Sequence, residues 1–320
     1  MDQKELNSLI EQEYGNIAGI TVLKNGTPVY EESFNGTAGD TQIEIYSCTK
    51  SITSILIGIA MDQGLIKDVH QPVLSFFPDY QIKRGEHVIQ TVTLENMLTM
   101  TAPYKYKSAP YTRYFSSMDW VKTSLDLLGG KTPAGTFRYA PLIGPDILSG
   151  ILRSVSGKTV LEYARENLFD PLDIHVPGSI VFHSREEQMA YYKKISVPGW
   201  VADESGNNTA AWGLHLSSWE LARIGQMMLN DGMWNGRRIV SSSWISSSTS
   251  EHTCWKERNL PYGYLWWLGD HGYSAMGDCG NVLFVDVNRQ MVIAITSLRD
   301  IHAKDRIPLI LNAIIPSFSD

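Results

Sequence analysis

Strand-like runs stand at both ends of this chain and helical patterns fill its middle, and that distribution restricts the fold more than any other feature. Residues 17–23 are continuously apolar apart from Gly19 and Thr21, Asn25-Gly26 supplies the pair that tolerates positive φ in a tight hairpin, and residues 29–34 read as the returning strand. Near the other end, residues 262–268, 282–287 and 291–296 have the same character. Between them, apolar residues recur at helical spacing over 93–100, 119–128, 147–152 and 159–168. Strands separated in this way are expected to join in one antiparallel sheet. The expected class is therefore α+β: a sheet flanked by helices from both chain ends, plus an inserted, mostly helical lobe. The expected boundaries are 1–67 and 213–320 for the discontinuous sheet domain and 68–212 for the lobe, with a groove between them as the default site.

Composition narrows the function. A net charge of −7, with no basic cluster longer than Arg237-Arg238 or Lys193-Lys194, argues against a nucleic-acid partner. Met1-Asp2-Gln3-Lys4-Glu5-Leu6 lacks the basic start and apolar run of a secretory signal, and no apolar stretch has the length of a membrane span. A cytoplasmic location is the expectation. Cys48, Cys254 and Cys279 are odd in number and lack metal-site spacing, which suits reduced thiols, and neither a metal nor another cofactor is expected. Nothing in the sequence marks an oligomeric state.

The chemistry centres on Tyr46-Ser47-Cys48-Thr49-Lys50, where a short extended run ends and an apolar helix begins, its pattern of Ile52, Ile55, Leu56 and Ile59 stopped by Gly64. Three residues along a helix place the Ser47 hydroxyl and the Lys50 amine on one face, roughly 5–6 Å apart at Cβ. The helix start adds outward-pointing N–H groups that favour negative charge. The plainer reading is a serine N-cap and a solvated lysine. Residues 101–116 are rich in tyrosine and read either as a lid or as aromatics packed on a neighbouring helix, and residues 173–212 show little periodicity.

In their order and spacing, several blocks resemble the serine β-lactamase and penicillin-binding-protein-like superfamily, particularly the class C branch with its esterases and nylon-oligomer hydrolases. Ser47-Cys48-Thr49-Lys50 matches the Ser-x-x-Lys motif. Leu94-Glu95-Asn96-Met97-Leu98-Thr99-Met100-Thr101, Pro133-Ala134-Gly135-Thr136-Phe137-Arg138-Tyr139, Trp212-Gly213-Leu214-His215-Leu216-Ser217, Asn230-Asp231-Gly232-Met233-Trp234-Asn235-Gly236 and Ala275-Met276-Gly277-Asp278-Cys279-Gly280 follow it. The similarity covers about residues 17–298.

The resemblance implies a serine acyl hydrolase acting on a small ester or amide, with Ser47 as nucleophile, Lys50 as base and Tyr139 as proton relay. It also implies an oxyanion site from the Ser47 and Ala275 amides. Two departures matter. The second motif, Tyr-x-Asn, reads Tyr139-Ala140-Pro141, and proline has neither a side-chain polar group nor an N–H. Pro141 is therefore not expected to orient the lysine as the family's asparagine does. The third motif aligns on Gly272-Tyr273-Ser274 and lacks the leading cation that holds a substrate carboxylate, unless His271 replaces it in a register shifted by one. This favours substrates without that carboxylate. A degenerate binding or scaffolding protein is one alternative, and a true β-lactamase or D-alanyl peptidase is another. Gly272-Tyr273-Ser274-Ala275-Met276 also approaches a nucleophile elbow, but it leads into a strand and lacks the second glycine.

Overall fold

The computed structural model describes residues 1–318. Its main sheet has eight strands in the order Thr27–Ser33, Ile17–Lys24, Met291–Ser297, Asn281–Asp286, Gly272–Gly277, Trp267–Gly269, Leu260–Tyr262 and Thr253–Trp255. Every pairing within it is antiparallel. The first strand lies beside the last, Ile20 opposite Ile295 and Val22 opposite Ile293, so the two chain ends close one sheet as their apolar runs imply.

Both faces of that sheet are covered, which is why its central strands read as continuous apolar runs rather than alternating ones. On one face Ile20, Val22, Phe284, Ile293 and Ile295 pack with Leu6 and Ile10 of the helix Gln3–Glu13 and with Ile310 and Ile314 near the C-terminus. On the other, Leu283, Val285, Val292 and Ala294 share a core with Leu221 and Ile224 of the helix Ser218–Leu229 and with Ile52, Ile55, Leu56 and Ile59. These last four belong to the helix Cys48–Asp62, whose residues from Cys48 to Ala60 are all buried. A helix apolar on every side belongs in an interior. At Gly58 the helix meets Trp244, whose indole would lie 2.2 Å from a Cβ there, so only glycine admits the contact. Burial of the body of this helix, from the residue after Ser47 onward, gives the site a rigid base.

The helical lobe contains Leu94–Leu98, Trp120–Leu127, Asp146–Ser156 and Val160–Ala164. Their starts are set locally: Thr93 and Thr159 form capping boxes, Asp119 caps the second, and Gly157 ends the third at φ 68°.

Three expectations need correction. Residues 262–268 are two short strands, because Leu265 takes φ 65° in a hairpin whose loop is bonded elsewhere: its N–H donates to the Leu98 carbonyl and its carbonyl accepts from the Ser51 hydroxyl. The irregular stretch 173–212 contains a helix, Arg185–Tyr191, and a parallel pair, Ser179–Val181 with Trp200–Ala202. The tyrosine-rich loop carries a short helix, Tyr111–Phe115. These elements are too short for periodicity to reveal. Among the described residues no helix is long and apolar enough to cross a membrane.

Candidate active site

Ser47 occupies the N-cap position of the buried helix, yet its hydroxyl makes no capping bond and its backbone is already helical at φ −67° and ψ −7°. The turn is tight. Cys48, Thr49 and Lys50 donate to the carbonyls three residues back, and Tyr46 stands in the left-handed region at φ 47°, a conformation that costs a non-glycine residue energy. The hydroxyl is thereby turned away from the helix and toward Lys50.

Lys50 is 1% exposed, and its Nζ donates to three oxygens: Ser47 Oγ at 2.8 Å, the Pro141 carbonyl at 2.7 Å and the Ala211 carbonyl at 2.9 Å. An ammonium has three protons, so this set saturates it. A neutral amine would keep the two carbonyl bonds and turn its lone pair toward the serine hydroxyl. Burial pulls the amine down to about 7, opposed by the negative fields of Asp278 and Asp146. The expectation that Pro141 cannot orient the lysine is corrected here: the side chain contributes nothing, but the carbonyl of the same residue does.

Asp146 organises the second carbonyl. Buried at the start of the helix Asp146–Ser156, it accepts from the Thr209 hydroxyl at 2.8 Å and the Ala210 amide at 3.0 Å, and from the Tyr114 hydroxyl at 2.5 Å. These bonds fix the backbone immediately before Ala211. Burial raises Asp146 to about 6, while the same three donors favour its charged form.

Tyr139 reaches the pair from the lobe. Its ring lies 5.4 Å from Lys50 Nζ, and Trp267 packs against it at 5.5 Å between centroids. Burial raises the phenol above its ordinary value, so it keeps its proton.

The third-motif residues fall differently. Ser274 and Ala275 are 4% and 0% exposed within the strand Gly272–Gly277, opposite Phe284 and Leu283, and neither lines the cleft at Ser47. His271 precedes the strand and meets Arg289 at 3.3 Å. Six residues of strand, roughly 20 Å, separate it from Gly277. It is Gly277 that touches the serine: a Cβ there would lie 2.3 Å from the Ile45 carbonyl oxygen and 3.2 Å from the Ser47 nitrogen. The alignment on Gly272-Tyr273-Ser274 is therefore too early in the strand, because the residues that it places at the site are sealed in the sheet. Ser274 also sits mid-strand rather than between strand and helix, which removes the nucleophile-elbow alternative.

A cleft of about 740 Å³ opens over Ser47, walled by Tyr111 and Phe115 of the short helix, by Leu142, Tyr192 and Trp212, and by Met276, Gly277 and Asp278. The tyrosine-rich segment 101–116 and the segment 173–212 both contribute to it. Among the described residues no three His, Cys, Asp or Glu side chains converge in a way that could hold a metal ion.

A family model described as Beta-lactamase matches residues 6–313. The 6-aminohexanoate-dimer hydrolase of Paenarthrobacter ureafaciens is 25% identical over 235 residues, 69% of this chain and 54% of that protein. A penicillin-binding protein homologue from Caulobacter crescentus superposes with a TM-score of 0.71 at 19% identity, covering 92% of this chain and 90% of that one. The octameric penicillin-binding protein homologue from Pyrococcus abyssi gives 0.70 at 21% identity, over 95% and 75%. These structural likenesses establish the fold. The chain spans 54% and 62% of the lengths of two curated relatives that it matches.

Proposed function

The chain belongs to the Beta-lactamase family and has its fold, and we propose that it is a serine acyl hydrolase working on a small ester or amide through an acyl-enzyme at Ser47. The observation that carries this reading is the buried Lys50 amine, 2.8 Å from the Ser47 hydroxyl and poised near neutrality. A serine hydroxyl is a weak nucleophile until a neighbour takes its proton. Neutral Lys50 takes it as Oγ bonds to the substrate carbonyl carbon. Tyr139 then gives its proton to the departing oxygen or nitrogen and is reprotonated from Lys50. Water repeats the sequence to release the acid. The Ser47 amide is one donor to the oxyanion, and the second comes from the Gly277-Asp278 segment rather than from Ala275, since Gly277 abuts the serine nitrogen.

The substrate reading follows from the cleft. Met276, Gly277 and Asp278 bring to Ser47 an apolar group, a bare backbone and an acid, so the strand end beside the serine presents no cation, and the cleft's cations, Arg299, Lys304 and Arg306, come from the chain after the strand Met291–Ser297. One relative is named for hydrolysing an amide, the 6-aminohexanoate dimer. The non-catalytic alternative rests on the lost asparagine and on the missing third-motif cation, and the Pro141 carbonyl bears against the first of these. In side-by-side assays, p-nitrophenyl acetate is expected to turn over in a Ser47-dependent way, with nitrocefin at roughly 10²-fold lower kcat/KM. A preference for nitrocefin would overturn the substrate class.

The pH profile provides a separate check. Lys50 must be neutral to act as base, so kcat/KM is expected to rise with pH through about 7 and to fall below it. The Asp146 carboxylate holds the amine up, so Asp146→Asn, which preserves the shape and two of the acceptor contacts, should move this limb to lower pH. An unmoved limb would remove Asp146 from the lysine's environment.

A further inference from the structure

A smaller cavity of about 260 Å³ adjoins the Ser47 cleft, and Glu44, Tyr46, Tyr192 and Arg299 line both. Tyr191 and His215 close its inner side. Glu44 ends the short strand Ile43–Glu44, paired with His215, and is 8% exposed. Its Oε1 has no hydrogen-bond partner. A buried carboxylate oxygen left alone is costly and calls for an explanation.

Cations line this cavity, Arg299, Lys193 and Lys194, but none of them bonds the Glu44 Oε1. Burial pushes His215 down to about 4, and its ring meets the Tyr191 hydroxyl and the Gly199 carbonyl, each at 3.3 Å. Arg299 contributes a favourable field, but its guanidinium stacks on the Tyr192 ring at 4.7 Å instead of bonding the carboxylate. Lys193 and Lys194 are exposed at the mouth. Burial consequently lifts Glu44 to about 7, against the Tyr191 hydroxyl and the Gly213 amide, and the negative field of Asp278 adds to the rise.

An acid with one oxygen left without a partner among tyrosine rings is suited to an alkylammonium, which offers a charge-assisted hydrogen bond to that oxygen and presents its charge to the ring faces. We propose that Glu44, with Tyr46, Tyr191 and Tyr192, forms a subsite for a terminal ammonium group, so that the ester or amide cleaved at Ser47 carries a primary amine. This rests on the acyl-hydrolase reading. The spacing allows it: Glu44 stands three positions before Ser47, no more than about 11 Å between α-carbons, within the span of a short aliphatic chain.

Two measurements test the subsite, one of them independent of turnover. First, p-nitrophenyl 6-aminohexanoate is compared with p-nitrophenyl heptanoate, its near-isostere without charge. The expected result is a wild-type preference for the amine of at least about tenfold in kcat/KM, lost in Glu44→Gln. No preference in the wild type, or a Glu44→Gln variant that slows both esters equally, overturns the subsite. Second, hexylammonium and hexanol are titrated calorimetrically into Ser47→Ala. Tighter binding of hexylammonium, weakened at least about tenfold when Glu44→Gln is added, is expected. Equal binding of the two overturns the subsite even where the double variant does not fold. Ser47-independent turnover of both esters, with ammonium binding retained, would instead break the hydrolase reading and leave the subsite standing.

Discussion

Ser47→Ala is expected to abolish turnover of an activated ester, and Lys50→Met to lower kcat by at least about 10³-fold, because nucleophile and base act as one unit. The two variants should differ in stability. Ser47 is partly exposed and its hydroxyl caps nothing, so alanine there should leave the melting temperature near that of the wild type. Lys50→Met removes the donor from the Pro141 and Ala211 carbonyls, each left to bear a penalty of about 1–3 kcal/mol, offset by no longer burying an amine. A modest fall in melting temperature by scanning calorimetry is therefore compatible with the account. Wild-type rates in both variants would show that the wrong site has been assigned.

Gly277→Ala is expected to be nearly as damaging while adding a single methyl. That methyl would stand 2.3 Å from the Ile45 carbonyl oxygen and 3.2 Å from the Ser47 nitrogen, and the contacts are backbone, which cannot swing aside. The strand must back away from the serine, taking the second oxyanion donor with it. Losing one such donor typically costs 10²–10³ in rate, so kcat/KM should fall by about that factor. Gly269→Ala, at a position where a Cβ meets nothing within 4 Å, is the matched control and should retain activity. Equal rates in the two variants would detach the strand end from catalysis.

What was legible in the sequence is what side chains and spacing encode. The Ser47-x-x-Lys50 juxtaposition follows from helical geometry alone, and the sheet built from both ends follows from where the apolar runs lie. The lysine's other two partners are carbonyl oxygens of Pro141 and Ala211, and a backbone acceptor has no residue-type signature. Reading Pro141 as a loss was correct for its side chain and misleading for the site. Asp146 escaped notice for a related reason, since its effect passes through Thr209 and Ala210, which are distant in sequence. The register of the strand Gly272–Gly277 was missed because a shift of a few residues leaves its short, mixed sequence equally plausible, whereas the packing of Gly277 on Ser47 permits only one placement. Glu44, at one end of a two-residue strand, carries no local pattern.

The central claim is that Ser47 is an activated nucleophile, and covalent capture tests it most directly. The protein is treated with a fluorophosphonate, digested, and the modified peptide identified by mass spectrometry. The account predicts a single fast adduct on Ser47, which a chain denatured beforehand does not form and Lys50→Met forms far more slowly. Labelling no faster than that of the denatured chain, or an adduct that settles on another residue, would contradict it.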